Sequence, residues 1–424
     1  MTLAPLWALL LALMVPFPVG TDRRGLKTPW ATFALILANV VVFCVIQPES
    51  SPLTIETTYM RYGFVPQHPT AASFVTYLFI HVALLHLFWN MAFLLLFGTH
   101  VEDALGSTAF LVLYFGGGIT AALCHLVICV LLAGSHPDLL AQPLVGASGA
   151  ISGVLAPFAI RYYKSRMRMV WLPGFLLGPR ARYAHIPGPL LVGLWLAQNI
   201  AGAVYGAVST GSGIGYWAHL GGFAFGLIIA EVTGLLRDGR AEYLLAEARQ
   251  SARDAGGTSA AAIKSFQEYI KLVPNDWRAR LELAVTLRAV GTPEARQKSD
   301  QLVAEAVRQK LKSGEDLLLV YAEARRLDLM PCLTPRERLR LAGLAQDAAR
   351  TDVVRDLLTA IIHETPNAAE AEMARLKLGQ LLLKSAPAEA KSVLTAFLEL
   401  YPESAWRDRA EGMLLEASAL DRGA

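Results

Sequence analysis

The sequence predicts an all-α protein: a polytopic bundle of six transmembrane helices, followed by a soluble α-helical repeat-like domain. Three observations lead there. The 424 residues are 54% hydrophobic with a mean hydropathy of +0.41, high for a soluble chain of this size. The apolar excess sits in the first 240 residues, while the remainder is charged and patterned like soluble helix. Apolar runs near the roughly 20 residues that a bilayer-spanning helix needs recur near 30–47, 78–97, 108–133, 148–163, 189–207 and 216–236.

In chain order, residues 1–25 form an N-terminal segment, an apolar start followed by a basic tail. Its opening "MTLAPLWALLLALMVPFPVG" lacks the basic start of a signal peptide and is broken by prolines. An interfacial segment, or a start at Met14, suits it better than a seventh span. The bundle occupies 26–238. Its fourth span is short and glycine-rich, which places it inside the bundle rather than against lipid. Lys and Arg mark one side of the membrane: Arg23, Arg24 and Lys27 before the first span, Arg161 to Arg182 between the fourth and fifth, and Arg237 and Arg240 after the sixth. The loops "GSHPDLLAQPLVG" and "STGSGIG" carry no Lys or Arg. Both termini are thus expected in the cytoplasm, the membrane being read as a bacterial inner membrane.

Residues 239–260 read as a linker, and 261–424 as a cytoplasmic helical domain. There Ala262, Phe266, Tyr269 and Pro274 share one spacing with Val354, Leu358, Ile361 and Pro366, and with Ala390, Leu394, Phe397 and Pro402. Apolar residues three and four apart make one helix face, and the proline ends the helix. The pattern looks like the second helix of tetratricopeptide-like repeats, although the first helix's Trp-Leu-Gly signature is missing and the register is lost over 300–345. Such scaffolds offer a surface to a protein partner, so a cytoplasmic partner is expected. A net charge of +3 gives no ground for nucleic acid. The four cysteines, Cys44, Cys124, Cys129 and Cys332, form neither a disulfide framework nor a zinc pattern.

Chemistry concentrates in the membrane. Ser148 of "GASGAISG" and His219 of "YWAHLGGFAFG" fall near the outer ends of the fourth and sixth spans, at similar depth. Gly149 and Gly153 share a helix face, as do Gly222 and Gly226. Such small-residue faces let backbones approach closely, which would bring Ser148 within reach of His219, the base that a serine nucleophile needs. In "HVALLHLFWN", His86 and Asn90 lie four apart on one face. His81 lies five before His86, about 140° round the helix, poor spacing for chelating a metal; neither metal nor cofactor is expected. An acyl-transfer intermediate needs oxyanion donors, and the Ser148 backbone N–H, the Asn90 amide and the His86 imidazole can supply them. No acidic residue sits at this depth, so a Ser–His dyad is expected.

"HVALLHLFWN", "GASGAISG" and "AHLGGFAFG", in that order, resemble the rhomboid family of intramembrane serine proteases over about 30–236. The resemblance implies a Ser148 nucleophile, a His219 base, and His86 and Asn90 as oxyanion stabilisers. It implies substrates that are transmembrane proteins, cut within the lipid bilayer near the outer end of a membrane helix. "GTHVEDALG" matches the family's spacing at Gly98, Glu102 and Gly106, and Glu102 is read as structural. Gly146, Gly149, Gly153, Gly222 and Gly226 are read as packing support. The sequence departs from the family in three places. Ala72-Ser73 stands where many members carry Trp-Arg in the first outer loop. Ser152 stands where some stack an aromatic ring on the histidine, leaving Tyr216 or Trp217 to support His219. Pro157 should kink or end the fourth helix early. The rival readings are a catalytically inactive rhomboid-like scaffold that binds membrane helices, and a polar-lined transporter.

Overall fold

A computed structural model of the chain describes residues 17–21, 27–46, 52–170, 184–209, 213–313, 317–327, 329 and 333–422. The apolar start expected at the N-terminus lies largely outside these residues. The chain divides into two units, Met1–Tyr243 and Leu244–Ala424. The first holds helices α1 (Trp30–Ile46), α2 (Pro52–Tyr62), α3 (Leu84–Phe93), α4 (Thr99–Leu105), α5 (Ser107–Leu132), α6 (Ser148–Arg161), α7 (Gly188–Ser209) and α8 (Ile214–Val232). A π-helical turn, Leu94–Gly98, joins α3 to α4. By length and composition, Leu84–Leu105, Ser107–Leu132 and Gly188–Ala207 can each cross a membrane; Gly215–Val232 joins them if the bent pair it forms with the next helix counts as one span. Helix α1 is apolar but shorter, and α6 is buried in protein from Gly149 to Phe158.

The all-α expectation needs correction. Phe17–Thr21 (β1), Arg166–Val170 (β2) and Ala184–Pro187 (β3) form a small antiparallel sheet in the order β1-β2-β3. Phe17 pairs with Val170, and Arg166 with Pro187. In β2, Met167 and Met169 are buried while Arg166 and Arg168 are exposed, the period-two alternation of a strand with one covered face. The arginines, read from the sequence only as a topology signal, mask that alternation.

The second unit continues from α9 (Leu235–Asp254), so most of the expected linker over 239–260 is helix, followed by a turn at Gly256 and Gly257. Then come α10 (Ala260–Leu272), α11 (Trp277–Val290), α12 (Pro293–Ser313), α13 (Leu317–Arg326), α14 (Pro335–Asp347), α15 (Thr351–Glu364), α16 (Ala369–Leu382), α17 (Pro387–Leu400) and α18 (Arg407–Arg422). Helices α14 to α18 each pack on the next. Their starts are locally encoded: the Ser259 and Asp276 side chains accept backbone N–H groups, and Thr334 with Glu337 makes a capping box. The spaced apolar residues are inside: Ala262, Phe266 and Tyr269 on α10, Val354, Leu358 and Ile361 on α15, Ala390, Leu394 and Phe397 on α17. The loss of register over 300–345 corresponds to the long α12 and the short α13.

In the first unit, a buried carboxylate braces the helix starts. Glu102 accepts the Ala31 N–H at 2.9 Å, the Thr32 N–H at 2.8 Å, the Thr32 hydroxyl at 2.7 Å and the Ser107 hydroxyl at 2.6 Å. It thereby satisfies donors in the first turn of α1 and meets the positive end of that helix. Gly98 leaves room beside the Thr32 hydroxyl, and Gly106, at φ +79°, makes the turn into α5.

At the centre, α5, α6 and α8 meet backbone to backbone. A Cβ added to Gly222 would lie 2.0 Å from the Gly149 carbonyl oxygen, and one on Gly226 would lie 2.1 Å from that of Gly153. Gly117 of α5 closes on the Gly153 Cα, and Gly221 of α8 closes on Cys124 of α5. The helix does not end at Pro157, as α6 runs on to Arg161. The proline leaves the Gly153 carbonyl without its usual donor, and Gly226 presents a Cα–H to that oxygen, a weak but repeatable contact. Gly222→Val must push α6 and α8 apart. Overpacking of this kind typically costs about 1–3 kcal/mol, so the variant should melt several degrees below the wild type in a thermal scan. An unchanged melting temperature would contradict the contact.

Candidate active site

Ser148 opens α6, and Ala147 before it caps nothing through a side chain. The first N–H groups of a helix have no partner within it, so the Ser148 N–H faces a site with the partial positive charge of a helix start. Gly146, at φ +111°, turns the chain into this position, a backbone conformation that glycine alone adopts freely. Its N–H donates to the Tyr77 carbonyl at 2.9 Å. One turn on, the Ser152 hydroxyl donates to the Ser148 carbonyl at 2.6 Å.

The glycine contact sets the next distance. Gly222 lies three residues beyond His219 on α8, so the seating of Gly222 on α6 swings the imidazole over the start of that helix. Ser148 Oγ and His219 Nε2 are 2.8 Å apart. On the other side of the ring, His219 Nδ1 lies 2.7 Å from Asn199 Oδ1, on α7. Trp195, one turn before Asn199, flanks the imidazole with ring centroids 6.0 Å apart, and Tyr216 meets it edge-on at 6.4 Å. Of the two supports expected from the sequence, Tyr216 is in ring contact with His219. The polar contact comes from Asn199, which sequence reasoning passed over. Its signal was weak: a polar residue in an apolar span, four after a tryptophan.

His86 and Asn90 stand on α3 across from the serine. A cavity of about 300 Å³ is lined by both together with Ser148, His219, Trp89, Phe93, Ile151 and Trp195. Its walls are mainly apolar. The Asn90 amide donates to the His86 carbonyl at 2.9 Å. The His86 ring is seated against Gly146, where a Cβ would approach its Cε1 to 2.8 Å. His86 also lines a second, more polar cavity with His125, His136, Asp138 and Gln142. The His81 and His86 rings meet edge-on, with centroids 5.1 Å apart. Among the described residues, no group of three or more His, Cys, Asp or Glu side chains could hold a metal ion.

The loop before α3, which lacks the Trp-Arg pair, is fastened by short hydrogen bonds. Ser73 donates its hydroxyl to the Thr70 carbonyl at 2.8 Å, and Thr70 and Ser73 exchange further N–H-to-hydroxyl bonds at 3.1 Å. The Thr76 hydroxyl donates to the Tyr62 carbonyl at 2.7 Å, and Phe64 and Leu144 bridge through reciprocal backbone bonds. Chemically, the site offers a serine hydroxyl facing an imidazole nitrogen, the helix-start N–H of the same residue, and an open, mainly apolar cavity beside them.

Residues 68–235 match the Rhomboid domain family. The mitochondrial presenilin-associated rhomboid-like protein of Bos taurus is 28% identical over 224 residues, 50% of this chain and 53% of that protein. The Homo sapiens protein of the same name is 28% identical, covering 50% of this chain and 52% of its own length. Rhomboid protein 1, mitochondrial, of Saccharomyces cerevisiae is 27% identical over 203 residues, 46% of this chain and 51% of that protein. The chain thus spans about half the length of the curated relatives it matches. Residues 68–235 thus resemble a rhomboid domain, and about half of the chain is similar to mitochondrial rhomboid-like proteins. Together with its apolar helices, this marks an integral membrane protein. The relatives are mitochondrial, which lends no support to the bacterial inner membrane expected from the sequence.

Proposed function

We propose that the chain is an intramembrane serine protease of the rhomboid type, hydrolysing peptide bonds in or near the transmembrane segments of membrane proteins. The observation that carries this reading is the 2.8 Å separation of Ser148 Oγ from His219 Nε2 beside an apolar cavity. His219 takes the hydroxyl proton as Ser148 attacks the scissile carbonyl carbon. The Ser148 N–H, the Asn90 amide and the His86 imidazole stabilise the oxyanion that forms. His219 then gives its proton to the leaving amine, and the acyl-enzyme remains. A water, deprotonated by the same imidazole, attacks the ester carbon and frees the serine. No cofactor is needed. The substrates are transmembrane proteins presented from the bilayer, and the glycines at 146, 149, 153, 222 and 226 keep the two reacting side chains in register.

The same reading extends to the second unit. Its spaced apolar faces support a tetratricopeptide-like scaffold that binds a protein partner. The Lys/Arg bias of the loops supports a six-span topology with both chain ends in the cytoplasm, opposite the side from which Ser148 is reached. The domain would then select substrates by their cytoplasmic tails or tether the enzyme.

Three measurements test these assignments. Ser148→Ala and His219→Ala should each abolish cleavage of a reporter transmembrane substrate and labelling by a fluorophosphonate. The double variant should be no worse than either single, because the two residues act as a unit. Full cleavage by either single variant would sink the dyad, and absence of labelling in the folded wild type would favour an inactive, helix-binding scaffold. Asn90→Ala should lower kcat by about 10²–10³, as the loss of one oxyanion donor does, with KM little changed; a change confined to KM would make Asn90 a substrate contact. Truncation after residue 245 should leave cleavage of a generic membrane substrate intact while impairing a natural one. A folded truncation that cleaves nothing would place the second unit inside the catalytic unit.

A further inference from the structure

We propose that Asn199 is the positioning residue that makes His219 a base, by locking the imidazole in the tautomer whose lone pair faces Ser148. The inference rests on the protease reading above and assigns a third member to its hydrogen-bonded chain.

The argument starts from a carbonyl. The oxygen of Trp195 can only accept, and the side-chain nitrogen of Asn199 lies 2.7 Å from it. This contact orients the amide: Nδ2 must point at Trp195, since the reversed amide would set two acceptors against each other. Oδ1 then points at His219 Nδ1, 2.7 Å away. An amide oxygen has no hydrogen to give, so the hydrogen in that contact belongs to Nδ1. A neutral imidazole carries only one, which leaves Nε2 with its lone pair directed at Ser148 Oγ, 2.8 Å away. A backbone carbonyl on α7 thereby sets the direction of every hydrogen along the chain Trp195, Asn199, His219, Ser148.

Burial gives the arrangement its force. Asn199 is 3% exposed, and hydrogen bonds strengthen where solvent is excluded. The alternative tautomer would set an Nδ1 lone pair against Oδ1 and Nε2–H against Ser148, leaving the serine no acceptor. The choice of an amide over a carboxylate follows from the surroundings. A carboxylate would stabilise the imidazolium more, but it would bury a second charge within the membrane-spanning part of the protein. A neutral acceptor fixes the tautomer without that cost, and its bond to Nδ1–H becomes charge-assisted once His219 takes the proton. Trp195 links this function to the cavity: its carbonyl orients Asn199 while its ring lines the pocket and flanks the imidazole.

The test uses the full chain in detergent or liposomes, with a fluorophosphonate probe and a reporter transmembrane substrate. Asn199→Ala and Asn199→Leu should slow both labelling and kcat by about 10²-fold, within the 10²–10⁴ that general-base catalysis supplies. KM and melting temperature should stay near wild type, because the Trp195 carbonyl keeps its helical N–H partner. Asn199→Asp, which retains an acceptor, should recover much of the labelling rate. Wild-type labelling rates in Asn199→Ala would overturn the proposal, as would a loss that tracks melting temperature and that a folded Asp variant leaves unrescued. A ¹⁵N spectrum of selectively labelled wild-type protein decides the matter without any variant: protonation on Nδ1 supports the assignment, and protonation on Nε2 overturns it. If the wild type fails to label at all, it is the protease reading that falls.

Discussion

The contact on which the rest depends is the approach of two backbones. The Gly149 and Gly153 carbonyls of α6 lie so close to Gly222 and Gly226 of α8 that a methyl group at either α8 position would overlap an oxygen. In a membrane there is little hydrophobic force to press one apolar helix on another, and association relies on packing and on weak polar contacts between backbones. Small residues permit both. The same contact decides the separation of Ser148 and His219, because each reactive side chain is a few residues from a glycine of its own helix. A proton transfer needs its partners within hydrogen-bond reach. Here that reach is inherited from helix packing, with no loop to adjust it.

Placing polar side chains at this depth demands that each be satisfied. The serine, histidine and asparagine meet the demand by bonding to one another in sequence, ending on a backbone carbonyl. No formal charge is required in the resting state. The cavity beside them is mainly apolar, and an apolar surround strengthens the electrostatic contribution of the few polar groups that line it.

Away from the site, the frame is held by groups that do no chemistry. Glu102 ties the start of α1 to the end of α4 and the start of α5 through four hydrogen bonds. The Thr70–Ser73 exchange and the Phe64–Leu144 bridge fasten the loop before α3.

The sequence by itself determined what depends on pattern along the chain. Apolar runs located the helices now seen at 30–46, 107–132, 188–209 and 214–232. The i, i+4 glycines marked the faces that meet, and the apolar positions of 354–361 and 390–397 marked the buried sides of α15 and α17. Reading Ser148 with His219 required only matched depth on two helices running the same way. Contacts between elements distant in sequence were left to the tertiary structure. Asn199 stood beside Gln198 as one of two polar residues in an apolar span, with no role legible, because its partner is twenty residues away on another helix. Met167 and Met169 read as loop residues, because the strand that pairs with them begins at Phe17. Pro157 read as a helix breaker, because local rules weigh the lost hydrogen bond without the neighbour that faces the freed carbonyl. In each case the deciding energy comes from a partner brought near by folding, and no spacing along the chain encodes it.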